Sequence, residues 1–129
     1  DILAAAKTIF QNNGVFAAII DYSVTGKHTE WVEFGNAELQ VSLVPAIIAL
    51  RNQAVILAAD VTSLGDNCYE VSIQPVAPCS TPGDLHARAL SIIRDAIKHV
   101  NGELQQRPEQ WWRWDYARIR EAESRSPDI

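Results

Sequence analysis

Two apolar runs of strand length constrain the fold of this chain most. Val15–Ile20 reads Val-Phe-Ala-Ala-Ile-Ile, and Ala54–Val61 is similarly apolar. Neither run alternates between apolar and polar side chains, and continuous apolar runs are typical of strands covered on both faces in a parallel or mixed sheet. We therefore expect two buried strands, each with neighbours on both sides.

Three helices are predicted ahead of the C-terminus. Ile2–Asn12 is rich in alanine and is followed by Gly14, which accepts a left-handed helix cap without steric cost. Ser42 can cap a second helix that runs through Pro45–Arg51. Asp84 is placed to cap a long third helix. This helix carries one apolar stripe at helical spacing, formed by Leu85, Ala89, Ile93, Ile97, Val100 and Leu104.

The remaining segments predict strands and a final helix. Glu30–Phe34 alternates as a half-buried strand does, and Leu64–Asn67 is a turn from which Cys68–Val76 returns as the second strand of a hairpin. Pro108 is predicted to start a last helix, Glu109–Glu123. The order helix, strand, hairpin, helix, strand, strand, helix, helix is typical of an α/β fold, with a mixed sheet flanked by helices.

The predicted sheet has too few strands to surround its two buried members. We expect residues 1–123 to belong to a single domain and 124–129 to be a frayed tail. A strand that is covered on both faces needs neighbours, and few segments remain to supply them. The shortage of strands therefore predicts that the chain is a fragment of a larger domain.

Composition excludes several classes of protein and site. The 129 residues carry a net charge of −5, which opposes binding to a phosphate backbone, so nucleic acid is not an expected partner. Cys68 and Cys79 lack the spacing of a zinc site and are expected to be ordinary thiols in a reducing compartment. No metal or cofactor is expected. No apolar run reaches the roughly 18 residues that span a bilayer, so any membrane contact is expected to be peripheral.

Three blocks of sequence carry a family resemblance. The first is an apolar strand that ends at Asp21 and is followed by a strand that ends at Phe34-Gly35. The second is the helix Pro45–Arg51 with the apolar strand after it. The third and most specific is Arg107–Trp112, which reads Arg-Pro-Glu-Gln-Trp-Trp. Their order resembles the later half of the bacterial late acyltransferases of lipid A biosynthesis (lauroyl and myristoyl transferases), within the lysophospholipid acyltransferase superfamily.

This resemblance implies the C-terminal half of an acyltransferase fold. The implied function is transfer of a fatty acyl group from an acyl-carrier-protein or coenzyme A thioester to a hydroxyl of a lipid or glycolipid acceptor. The implied location is the cytoplasmic face of the bacterial inner membrane. In the family a His is the general base, held by a carboxylate in a His-x-x-x-x-Asp/Glu motif that lies in the earlier half.

Only His28 and Glu33 reproduce that motif spacing in this chain. They follow Asp21, in the region that the resemblance assigns to the acceptor side rather than to catalysis. Residues five apart in an extended strand also point to opposite faces, so Glu33 is poorly placed to orient His28. We therefore expect no catalytic residue in this chain and no acyl transfer by the chain alone.

Asp21 and Lys27 are the candidates for binding the acceptor. Asp21 follows its apolar strand directly, at the end where open α/β sheets place ligands, although a loop carboxylate that caps a turn is the alternative. Lys27 could bind an acceptor phosphate or could be a solvated surface lysine. Trp111 and Trp114 share a face of the predicted last helix, and this face could pack on the sheet or rest at a membrane interface.

A second function stays open on these grounds. A non-catalytic module that binds lipid or protein could keep this fold without the catalytic His. A His-x-x-x-x-Asp/Glu motif earlier in the reading frame would distinguish the acyltransferase from the binding module.

Overall fold

The computed structural model describes residues 1–21, 24–77, 82–111 and 119–121. Over these ranges the protein has three α-helices, one 3₁₀ turn at Pro108–Gln110 and five strands. The helices are α1 (Ile2–Gln11), α2 (Val44–Asn52) and α3 (Leu85–Gln106). The strands are β1 (Thr29–Phe34), β2 (Ala37–Ser42), β3 (Leu57–Gly65), β4 (Cys68–Pro75) and β5 (Ile119–Glu121). The α/β class predicted from the sequence is confirmed.

The strands form two separate antiparallel sheets. One has the order β1-β2-β5, with Thr29 opposite Ser42 and Phe34 opposite Ala37 in its first pair. The other is the two-stranded β3–β4 hairpin. The predicted mixed sheet is wrong for the described part of the chain, because every strand pair there is antiparallel.

The hydrophobic core lies where the β1–β2 hairpin meets α2 and α3. Alternation along the hairpin turns Val32 and Phe34 of β1 and Leu39 and Val41 of β2 into this core. The predicted stripe on α3 is confirmed, since its buried members pack against the same face. These buried members are Ala89, Ile93, Ile97 and Leu104, joined by Ile92 and Ala96. In the described ranges no helix, α3 included, is both long and apolar enough to cross a membrane.

Of the two predicted helix caps, Asp84 caps α3, whereas Ser42 does not occupy the cap position of α2. The Asp84 carboxylate accepts a hydrogen bond from the Ala87 backbone N–H at 2.8 Å, which confirms the cap of α3. The Ser42 hydroxyl accepts one from the Val44 N–H at 3.2 Å. The cap position of α2 itself is occupied by Leu43, so Ser42 acts from one residue further out.

Helix α1 ends in a different way from the one predicted. Asn13, not Gly14, takes the left-handed conformation, with φ of 54°. Gly14 is needed because the backbone passes close to the last turn of the helix. A Cβ atom at this position would lie 2.7 Å from Cγ2 of Ile9 and 2.9 Å from the Ile9 carbonyl oxygen.

The predicted strand Val15–Ile20 is not a strand. It pairs with no strand in the described ranges, and Val15 and Ile19 are 89% and 67% exposed. Of this run, Ile20 packs against the core. The apolar pattern is that of a buried strand, but it requires neighbours that these residues do not supply.

The second apolar run does form a strand, but it is not buried on both faces. β3 begins at Leu57, and Leu57 and Val61 are each 59% exposed, whereas Thr62 on the other face is 8% exposed. The prediction of two-sided burial for Ala54–Val61 is therefore wrong. The predicted turn is present at Asp66 and Asn67, where both residues have positive φ.

The predicted helix Glu109–Glu123 is wrong wherever the structure describes it. Arg107 leaves the helical conformation, as expected for a residue that precedes proline, and α3 ends there. Pro108–Gln110 forms a single 3₁₀ turn, Trp111 is extended and Ile119–Glu121 is a strand. Residues 112–118, the predicted tail at 124–129 and Cys79 lie outside the described residues.

Candidate functional site

A cleft of about 230 Å³ opens between the C-terminal half of α3, β3 and the 3₁₀ turn. Its lining residues are Asp21, Asp60, Val61, Thr62, Val100, Leu104, Arg107, Gln110 and Trp111. A second cleft of about 320 Å³ lies beside α2, with Arg88 as its one charged lining residue. The first cleft holds three charged groups and the residue that the sequence favours, so it is the candidate site.

Trp111 fixes Asp21 in this cleft. The indole Nε1–H donates a hydrogen bond to Oδ2 of Asp21 at 2.9 Å. The indole itself is 6% exposed and packs on Phe34, with ring centroids 4.8 Å apart and planes tilted by 50°. Through Trp111, the core of the β1–β2 hairpin therefore positions the Asp21 carboxylate, although Asp21 follows an exposed segment. Oδ1 of Asp21 has no partner among the described residues and can accept a hydrogen bond from a ligand.

The proline of the 3₁₀ turn explains why Trp111 lies at the cleft. Pro108 disfavours the helical conformation at Arg107, which has φ of −140° and ψ of 66°, so the chain turns away from α3. One 3₁₀ turn follows, closed by the bond from the Trp111 N–H to the Pro108 carbonyl at 3.3 Å. An uninterrupted helix would not bring the chain back towards β3.

Gln110 and Arg107 fasten this turn to the edge of β3 that does not face β4. Oε1 of Gln110 accepts the Ser63 N–H at 2.8 Å, and its Nε2 donates to the Ser63 carbonyl at 3.0 Å. Nη1 of Arg107 donates to the same carbonyl at 2.9 Å. The Gln110 amide thus takes the place of a neighbouring strand at this residue. A guanidinium has five N–H donors, so Arg107 keeps donors for an anionic ligand.

The charges and surfaces of the cleft suit an amphiphilic ligand. Asp21 and Asp60 supply two carboxylates, and Asp60 makes no ion pair in the described part of the chain. Arg107 supplies the positive charge, and Val100 and Leu104 supply an apolar wall. Carboxylates accept hydrogen bonds from hydroxyl groups, and a guanidinium binds carboxylate or phosphate. Among the described residues no three metal-ligating side chains gather in a group.

The other predicted site residues do not line the cleft. Lys27 and His28 are exposed just ahead of β1, and Glu33 is exposed on the outer side of that strand. No hydrogen bond or ion pair joins His28 to Glu33 in the described structure. A histidine–carboxylate contact does occur nearby, between Nε2 of His86 and Oε1 of Glu30 at 2.7 Å.

Four polar lining residues are not predicted as site residues from the sequence: Asp60, Thr62, Arg107 and Gln110. A signal existed for Asp60, because it is the single charged residue in an otherwise apolar run. Arg107 and Gln110 belong to the most specific of the three resembling blocks. Their contacts were missed because the helix predicted at this point would not have folded back onto Ser63.

Comparison of the chain with protein-family models, with curated proteins and with solved structures gives no significant match. Any relationship to the acyltransferases therefore rests on the three blocks of sequence. The cleft brings two of these blocks into contact, because Asp21 directly follows the apolar run of the first block and Trp111 belongs to the third.

Proposed function

We propose that this chain is the acceptor-side part of an acyltransferase related to the lipid A late acyltransferases. It would contribute a cleft for a lipid or glycolipid acceptor, and a catalytic His would come from an earlier part of the protein. The observation that supports this most is the hydrogen bond from Trp111 to Asp21. It joins the acidic residue of the first resembling block to the most specific block, across 90 positions of sequence.

The proposed role of the cleft is to bind and orient the acceptor. An acceptor hydroxyl is a weak nucleophile until a positioned base removes its proton, so its orientation towards that base matters. Oδ1 of Asp21 would accept a hydrogen bond from an acceptor hydroxyl. The free donors of Arg107 would bind an anionic group on the acceptor. The wall formed by Val100 and Leu104 would contact its hydrocarbon part.

The remaining elements of the proposal follow from the resemblance. The acyl donor would be an acyl-carrier-protein or coenzyme A thioester, and the site of action the cytoplasmic face of the bacterial inner membrane. Membrane contact would be peripheral. Lys27, exposed outside the cleft, stays a candidate for an acceptor phosphate.

Acyl-transfer measurements test this proposal directly. The isolated chain, incubated with an acyl thioester and lipid acceptors, should release no thiol above background, and the His28→Ala variant should behave in the same way. A longer protein with a His-x-x-x-x-Asp/Glu motif ahead of this chain should release thiol. Turnover by the isolated chain that disappears in His28→Ala would overturn the proposal and assign catalysis to His28 and Glu33.

The alternative is a non-catalytic module that binds lipid or protein. It is equally consistent with the lining of the cleft, where none of the described residues is a His. A complete reading frame that lacks the His motif, and whose product binds acceptor lipid without turnover, would establish this alternative.

A further inference from the structure

The β3–β4 hairpin turns an apolar face towards solvent. Leu57, Val61, Tyr69, Val71 and Ile73 are each 58–66% exposed. Val61 lies opposite Val71, and Ala59 opposite Ile73, and directly opposed residues of an antiparallel pair share a face. These five residues with Ala59 are called the outer face. Scattered exposed apolar residues are normal, but a contiguous apolar face marks an interaction site.

The charged residues of the two strands lie on the opposite face. Asp60 lies opposite Ser72, and Thr62 opposite Glu70. Thr62 is buried, and both Asp60 and Thr62 line the candidate cleft. An antiparallel sheet with one solvated face normally buries its apolar side and exposes its polar side. The hairpin has the reverse arrangement, so its outer face requires a cover.

The size and charge of the outer face fit a second copy of the chain. At these exposed fractions its residues present on the order of 600 Å², so two copies would bury about 1,200 Å² in total, the lower limit of a specific interface. The chain carries a net charge of −5, but the outer face carries no charged residue. Two acidic copies can therefore meet there with less repulsion than elsewhere. The same net charge opposes contact with an anionic lipid surface.

We propose that the outer face binds the outer face of a second copy, with the two hairpins stacked about a two-fold axis. Such a contact is self-complementary, because the same patch serves both partners. Stacked sheets pack about 10 Å apart, with their strands about 30° from parallel. Val61 and Val71, the opposed pair at mid-strand, would lie near its centre. This proposal goes beyond acyl transfer and does not depend on it.

Sedimentation equilibrium of the full chain, over roughly 1–200 µM, tests the proposal. The mass should rise with concentration towards twice the 14.3 kDa of one chain and then stop. Val71→Glu should weaken the dimer about a hundred-fold, because each dimer carries the buried charge twice. Gln74→Glu is the matched control, since it adds the same charge to the same strand on the opposite face, at an exposed position. It should leave the dimer unchanged.

A second variant separates loss of association from loss of folding. Ile73→Thr keeps a β-branched residue, which strands favour, and removes apolar surface from the outer face. It should weaken the dimer while the far-ultraviolet circular dichroism stays that of the parent chain. A chain that is monomeric at every concentration would overturn the proposal. So would equal effects of Val71→Glu and Gln74→Glu, or binding of the monomer to phosphatidylcholine vesicles that Val71→Glu abolishes, since the cover would then be lipid.

Discussion

The β1–β2 and β3–β4 hairpins are built alike but lie in different environments. Both are antiparallel pairs with apolar side chains on one face. In the first, Val32 and Leu39 are 1% and 0% exposed because α2 and α3 cover that face. In the second, Val61 and Ile73 are 59% and 61% exposed. Alternation thus determines which residues share a face, and the rest of the fold determines whether that face is covered.

The largest expected effect comes from one substitution made on each side of this comparison. Ile93→Ala removes a side chain that is 2% exposed in the core and should lower the free energy of unfolding by about 2–5 kcal/mol. Ile73→Ala removes the same atoms from a side chain that is 61% exposed and should cost less than about 1 kcal/mol. Urea denaturation at a protein concentration too low for association measures both.

Equal losses would break the comparison. If Ile73→Ala destabilised the dilute chain as much as Ile93→Ala does, the outer face would be buried within a single chain. The described packing of the β3–β4 hairpin would then be incorrect.

A second, smaller effect on stability is expected for two side-chain amides, one bound to each hairpin. Asn101 of α3 accepts the Gly35 N–H at 2.8 Å and donates to the Glu33 carbonyl at 3.3 Å, at the turn of the first hairpin. Asn101→Ala leaves the half-buried Gly35 N–H without its partner, so we expect a loss of about 1–3 kcal/mol. Gln110→Ala should cost less than about 1 kcal/mol, because Gln110 is exposed and water can replace it. Thermal unfolding of the two variants side by side would contradict this account if Gln110→Ala were the more damaging.

The smallest expected effect is that of Trp111→Phe, at the residue that joins the core to Asp21. Trp111→Phe keeps an aromatic ring against Phe34 but removes the hydrogen bond to Asp21, so the free energy of unfolding should fall by about 1 kcal/mol. Trp111→Ala also removes the ring and should cost about 3–5 kcal/mol. Similar losses for the two variants would mean that the hydrogen bond, rather than packing, dominates at this position.

Features that depend on neighbours along the chain could be predicted from the sequence. The α3 stripe follows from helical periodicity, and the Asp84 cap and the turn at Asp66 and Asn67 follow from the chemistry of single residues. Each requires only a few adjacent positions. The α/β class follows from the order of these elements.

Features that depend on distant partners could not be predicted. Val15–Ile20 has the composition of a buried strand, but composition does not show whether a neighbouring strand exists. Pro108 starts a helical turn, as predicted, but the helix stops after this one turn, where Gln110 binds the backbone of Ser63. Those bonds span 47 positions of sequence, beyond any local pattern.

The candidate site also has features that a local pattern predicts and features that depend on distant partners. Asp21 was identified because it follows an apolar run directly, which is a local signal. Its contact with Trp111 joins segments that are 90 positions apart, and no spacing rule indicates it. The sequence does not indicate Asp60 as a site residue, because its apolar run predicts a strand buried on both faces, whereas one face of β3 lines a cleft.

The most direct test of the proposed function is the Asp21→Asn variant in a longer protein that contains this chain and a His-x-x-x-x-Asp/Glu motif. Asn keeps an oxygen that can accept the Trp111 N–H, so the melting temperature should barely change. The charge that would bind the acceptor is lost, and one charge-assisted hydrogen bond is worth about 1.5–3 kcal/mol, so kcat/KM should fall about ten- to a hundred-fold. Asp66→Asn, in the exposed β3–β4 turn, is the matched control and should change neither quantity. A lower melting temperature with unchanged kcat/KM per folded molecule would contradict the account, since Asp21 would then serve the fold and not the acceptor.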